Sequence, residues 1–73
     1  MEIKVGGIYK HYKNKFYKVH HVVTCAETLE VLVIYECLYE NPMGQMWSRP
    51  AKMFTENIEQ GGKLVPRFAL EPA

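Results

Sequence analysis

Leu29 to Glu40, LEVLVIYECLYE, is the longest apolar run in the chain. Its odd positions are Leu29, Val31, Val33, Tyr35, Cys37 and Tyr39, none charged and most β-branched or aromatic. Its even positions are Glu30, Leu32, Ile34, Glu36, Leu38 and Glu40, so charge recurs on that side alone. A period of two with this composition predicts a strand with one buried face and one half-buried face. The rest of the chain reads as shorter elements folded around it.

Upstream, Met1 to Val5 is expected to be a loose lead-in, and Gly6-Gly7 a turn. Ile8 to Tyr12 alternates and forms a first strand. Lys13-Asn14-Lys15 is a hairpin loop in which Asn14 tolerates a left-handed conformation. Phe16 to Thr24 is a second strand, with Tyr17, Val19, His21 and Val23 along its odd face, and Cys25 to Thr28 is a short connection. Downstream, ENPMGQ (40–45) breaks the pattern. Met46-Trp47-Ser48 is a short strand stopped at Arg49-Pro50, since proline cannot donate to a ladder. Ala51 to Phe54 suits one helical turn, with Pro50 at its first position, Ser48 or Arg49 near the cap, and Met53-Phe54 as a plug for one barrel end. Glu56 to Gln60 and Lys63 to Leu70 flank Gly61-Gly62, a hairpin signal, and Pro66 demotes part of the last strand to an edge or bulge. Glu71 to Ala73 is a tail.

These elements are joined by short loops with no βαβ spacing, which predicts an antiparallel, strongly bent sheet. The expected fold is all-β: a small SH3-like, partly open antiparallel barrel of five or six strands with one short helical turn. At 73 residues it is one domain, with its core over residues 6–70.

Composition narrows the function classes. A hydrophobic fraction of 48% is that of a globular chain rather than a disordered one. A net charge of +1 carries no general attraction to nucleic acid or anionic lipid. Lys4, Lys10, Lys13, Lys15 and Lys18 do cluster early, and read as a solvated edge ahead of a phosphate patch, so nucleic acid is the less favoured partner. No signal peptide is expected, since the residues after Met1 begin with Glu and Lys and form no apolar stretch, and no apolar run approaches the roughly 20 residues of a membrane helix. Cys25 and Cys37, the two cysteines, lack zinc-ligand spacing and a disulfide framework. Free thiols, a cytoplasmic location and no membrane partner are the expectation.

Several short motifs then occur in order. Gly7-Ile8-Tyr9-Lys10-His11-Tyr12-Lys13 resembles a G-x-Y-R-H-x-K opening. Glu27-Thr28-Leu29-Glu30 with Val33 and Tyr35 resembles an E-T-x-E-x-L-V-V-Y core, and Leu38-Tyr39 its L-Y ending. Trp47-Ser48-Arg49-Pro50 with Met53-Phe54 resembles W-x-R-P-x-x-M-F, and Pro66-Arg67-Phe68 a closing P-R-F. Together, over about residues 6–70, the chain resembles the DUF1653 family of small bacterial proteins, a domain of unknown function. The resemblance implies kinship and no particular chemistry. The chain departs from the family pattern at Cys25-Ala26, where a histidine stands two places before E-T, and at His21, where the family tends to have glycine.

The candidate ligand-binding residues are His11, Glu27, Thr28, Tyr35, Trp47, Arg49 and Arg67. A guanidinium beside aromatic rings suits a carboxylate, a phosphate or a base face. Against this stands a structural reading in which Trp47 is core and Arg49 pairs with Glu27 or Glu30 at the barrel rim. His11 has the chemistry of a general base, but no nucleophile is fixed for it, and Cys25 has no evident thiolate-stabilising neighbour. His20 and His21, adjacent in a strand, point to opposite faces and do not share a metal. No catalytic residue, metal or cofactor is assigned. The expected function is a non-enzymatic binding module, monomer or homodimer, taking a peptide or small anionic group in an aromatic, Arg-lined groove. The alternatives are an oligomerising accessory domain using an edge such as Lys63 to Leu70, and a small hydrolase using His11 and Glu27.

Overall fold

The structure is a computed structural model and describes residues 2–72; Met1 of the expected lead-in and Ala73 of the expected tail lie outside the described residues. Seven strands and one helical turn follow in the order β1 (Ile8–His11), β2 (Lys15–Thr24), β3 (Val31–Cys37), β4 (Met46–Pro50), α1 (Ala51–Phe54), β5 (Asn57–Gln60), β6 (Lys63–Pro66) and β7 (Phe68–Leu70). Five of the strands form one antiparallel sheet in the order β4-β3-β2-β1-β7, and β5-β6 is a separate hairpin. The chain is therefore all-β, an SH3-like barrel left partly open, as the alternation in LEVLVIYECLYE demands. The expected last strand is divided. Pro66 ends β6, and Phe68–Leu70 leaves that hairpin to pair with β1.

The long run is trimmed at both ends. Leu29 takes φ 62 and lies in the loop before β3, because Cys25 N–H donates to Glu30 O and Leu29 N–H to Cys25 O, closing a tight connection. Leu38 follows the strand and is exposed. Between them the odd positions behave as the pattern requires: Val33, Tyr35 and Cys37 are buried, while Val31 sits at the uncovered end.

The second strand departs from its expected odd face. Val19 opposes Tyr35, but the next paired residue is His21, opposite Ile34, so His20 is extra. A bulge of this kind reverses which residues face inward beyond it. Val22, opposite Val33, replaces His21 and Val23 on the inner side.

The core is aromatic. Phe54 and Phe68 stack with centroids 4.1 Å apart and planes 6° from parallel. Tyr9 meets Phe54 edge-on at 5.1 Å, and Tyr35 meets Phe68 at 5.7 Å. Val19, Val33 and Phe54 are fully buried, each worth about 1.5–3 kcal/mol of burial. Phe54 thus closes the barrel as expected of the Met53-Phe54 plug, whereas Met53 is exposed. Pro50 is the residue before the helical turn rather than its first, since it still pairs with Leu32 in β4, and no side chain caps the turn.

The lead-in is fastened rather than loose. Ile3 packs on the core, Lys4 N–H donates to Tyr9 Oη at 2.9 Å, and Gly6 N–H donates to Val19 O at 2.8 Å. Gly7 is pressed so close that an added Cβ would lie 2.9 Å from a Leu70 methyl and 3.0 Å from Lys4 O. The Gly61-Gly62 hairpin forms as read, with φ 60 and 81 supplying the left-handed pair that a tight two-residue turn needs. Asn14 takes φ 65 in the β1–β2 loop. Among the described residues, no helix is long and apolar enough to cross a membrane.

Candidate functional site

Sheet order makes β4 and β7 the two free edges, and Arg49 of β4 reaches across the gap between them toward Phe68 of β7. Across that open seam the Arg49 guanidinium carbon lies 5.5 Å from the centroid of the Phe68 ring. Arg49 is placed there by register: it opposes Val33, whose inward-facing neighbour two residues on is Tyr35. Arg49 Nε–H donates to Tyr35 Oη at 3.3 Å. This is the only side-chain hydrogen bond Arg49 makes among the described residues, and no carboxylate meets it there. The expected alternative, a pair with Glu27 or Glu30, does not form, because those two residues sit in the loop beyond β2, away from the seam. Arg49 as a residue is half-buried, and a charge drawn even partly from water is costly to leave unpaired.

Around Phe68 the rings converge. His11, which opposes Phe68 in the β1–β7 pairing, packs edge-on against it at 4.9 Å, and Tyr17 does so at 5.5 Å. Tyr17 and Tyr39 join hydroxyls at 2.9 Å. Burial, and then the bond to Tyr39, push the Tyr17 phenol well above its usual value, so Tyr17 stays a neutral donor or acceptor.

His11 Nδ1 accepts the Lys13 backbone N–H at 3.2 Å. That bond assigns the ring proton to Nε2 in the neutral form. Burial, followed by the charges of Arg49, Arg67 and Lys13, holds the His11 pKa below its ordinary value. His11 is thus a neutral donor at neutral pH.

Arg67, the third cation, is spoken for. Its Nε and Nη2 both donate to Glu56 Oε1, and its backbone N–H donates to Glu56 O at 3.0 Å. Trp47, opposite Tyr35, is half-buried on the core, and its Nε1–H donates to Gly44 O at 2.9 Å, bracing the turn before β4. Its ring is therefore part packing, part rim.

The candidates do not all meet. His11, Tyr35, Arg49 and Arg67 gather at the seam with Trp47 beside them. Glu27 and Thr28 lie at the far tip of the β2–β3 hairpin. His11 pairs with Lys15 at the start of β2, whereas Glu27 follows Thr24 at its end. Ten residues of strand intervene, a path on the order of 30 Å at about 3.3 Å per residue. The hydrolase arrangement of His11 with Glu27 is not assembled. Thr28 instead accepts Glu30 N–H at 3.2 Å through Oγ1.

Cys25 is a correction of a different kind. Its thiol is drawn below the usual value by hydrogen bonds from the Thr28 side chain and from the Thr28 and Glu27 backbone, neighbours that the sequence did not reveal. Both cysteines are free. Among the described residues, no group of three or more His, Cys, Asp or Glu is placed to hold a metal ion.

Phe68 is the residue that sequence reasoning passed over. It stands in the Pro66-Arg67-Phe68 motif, but attention there falls on the arginine. The usable signal was its alternation with Leu70 after a proline break, which marks a short inward-facing strand.

The arrangement is that of a small, partly open β-barrel with a free guanidinium held over aromatic rings at the seam. The family model for DUF1653, described as a protein of unknown function, matches residues 7–70. The chain belongs to the DUF1653 family. It is similar to a DUF1653 protein of Bordetella bronchiseptica known from a crystal structure, with 32% identity and a TM-score of 0.85, over 93% of this chain and 86% of that one. No functionally curated protein matches the chain.

Proposed function

We propose that the protein is a non-enzymatic binding module that takes a peptide or small molecule through an anionic group at Arg49. One observation carries the reading: a half-buried arginine whose guanidinium has no carboxylate partner among the described residues and is anchored through Nε to Tyr35, so that both Nη atoms are left over. A folded protein does not hold a desolvated charge in this way without cost, and an anion from outside offsets it. The neutral Nε2–H of His11 and the Tyr35 hydroxyl add donors beside it. A cytoplasmic location goes with the reading and is supported by the two free thiols.

A thermal-shift screen of acidic peptides, small carboxylates and phosphates tests it. Anionic compounds are expected to raise the melting temperature of the wild type and not that of Arg49→Gln. A screen in which stabilising compounds act equally on both proteins, or in which none acts, contradicts the reading.

A second reading, assembly with another copy, rests on the free edge of β7 and the exposed Leu64 and Leu70 near it. Gel filtration coupled to light scattering distinguishes them: a monomer mass removes it.

A further inference from the structure

The seam has a charge and a donor geometry that discriminate between anions. Building on the reading of Arg49 as a ligand contact, we infer that its ligand presents a monoanionic carboxylate on a flat apolar body, in preference to a phosphate.

The charge count comes first. Arg67 is neutralised by Glu56 through a two-pronged contact. The Lys13 ammonium lies 5.8 Å from the Tyr12 ring centroid, out on the hairpin turn. His11 is surrounded by these cations and stays uncharged. Of the two cations here without a carboxylate partner among the described residues, Lys13 is exposed, and one half-buried uncompensated positive charge is left, that of Arg49. A carboxylate cancels it. A phosphate monoester carries about −1.5 to −2 at neutral pH, and would bring surplus negative charge into a half-buried place.

The donors agree. With Nε committed to Tyr35, the Nη atoms of Arg49 present the N–H fork that matches the two oxygens of a carboxylate. The Tyr35 hydroxyl accepts from Arg49, and its own proton has no acceptor among the described residues. It adds one more donor directly beside the guanidinium. Tyr35 itself is only 5% exposed, so this proton is offered in a place shielded from water. The rings left half-exposed nearby, His11, Tyr17 and Trp47, give the apolar body a surface to lie on.

Benzoate, benzamide and phenyl phosphate are the probes. Each is titrated into wild type, Tyr35→Phe and Arg49→Gln at one pH and ionic strength, with binding read from amide NMR shifts. The spectra also report whether each variant is folded. Benzoate is expected to shift residues of β1, β4 and β7 around Arg49, to bind about tenfold or more tightly than phenyl phosphate, and to lose about tenfold in Tyr35→Phe. Benzamide should leave those residues unmoved. Tighter binding of phenyl phosphate at the same residues, or full benzoate affinity in Tyr35→Phe, overturns the carboxylate inference and leaves the binding module standing. Absence of any shift around Arg49 with both anions overturns the two together.

Discussion

The two halves of the β2–β3 hairpin are built from the same residue types and have opposite fates. In the half near the β1–β2 turn, Tyr17, Val19, Tyr35 and Cys37 are covered by β1, β7 and α1, and all but Tyr17 are buried; Val33, just past the bulge and opposite Val22, is buried in the same core. In the other half, Val22, Val23 and Val31 remain 40–43% exposed, although they pair just as regularly. Pairing makes a strand, but cover makes a core. The His20 bulge marks the change between the two halves. It is also where the candidate functional residues divide: His11 and Tyr35 belong to the covered half, Arg49 stands opposite Val33 just past the bulge, and Glu27 and Thr28 lie at the bare tip.

The contrast is broken most severely at Val33, which has no exposed surface. Val33→Asp places an unpaired carboxylate in the aromatic core and should unfold the protein, as read by circular dichroism. A cooperative melt within a few degrees of the wild type would mean that β3 is not central.

Next in size is a matched pair of truncations. Phe68→Ala removes the ring on which Phe54 stacks and His11, Tyr17 and Tyr35 lean, and should cost about 3–5 kcal/mol in urea unfolding. Val22→Ala, on the uncovered half, should cost about 1 kcal/mol or less. Similar losses at both positions would erase the distinction between the halves.

Acid should distinguish them as well. The His11 pKa is lowered in the folded state, first by burial and then by Arg49, Arg67 and Lys13. Above the unfolded value of about 6.5 neither state takes up the proton, and His11 costs nothing. As pH falls through that value the unfolded chain binds a proton that the folded one resists, so stability declines until the folded pKa is passed. Denaturant midpoints measured from pH 8 down to pH 5 should therefore fall more in the wild type than in His11→Gln. Equal slopes would remove His11 from the buried side of the seam.

At the tip, Leu29 is 74% exposed and held at φ 62, where a side chain is strained. Leu29→Gly should gain up to about 1 kcal/mol, because glycine adopts that conformation freely and little apolar contact is lost. A loss would show that the Leu29 side chain has packing that its exposure hides.

How much was legible in the sequence follows the same division. Alternation placed β3 and buried Val33, Tyr35 and Cys37, because a period of two is a local property that survives in any sheet. Breakers placed the Gly61-Gly62 hairpin for the same reason, whereas β4 runs on through Arg49 and Pro50, past the stop expected after Ser48. The bulge at His20 leaves no compositional mark, so the faces of β2 beyond it were misassigned. The separation of His11 from Glu27 is set by the length of β2, and the pairing of Arg67 with Glu56 by the return of β7 to β1. Both are consequences of topology, which no local window contains. Arg49 was singled out by its neighbours in the chain, yet what makes it a candidate site is Phe68, which meets it only across the seam.

The central claim is that Arg49 is left over from the fold and faces a ligand. Arg49→Lys keeps the charge and loses the planar fork. Thermal melts and benzoate titrations of the two proteins, run side by side, test it most directly. The expected result is a stability loss of about 1 kcal/mol or less, the worth of the long bond to Tyr35, with benzoate affinity reduced about tenfold or more. A loss of about 3 kcal/mol or more with binding unchanged would contradict it, and would make Arg49 a structural member of the core.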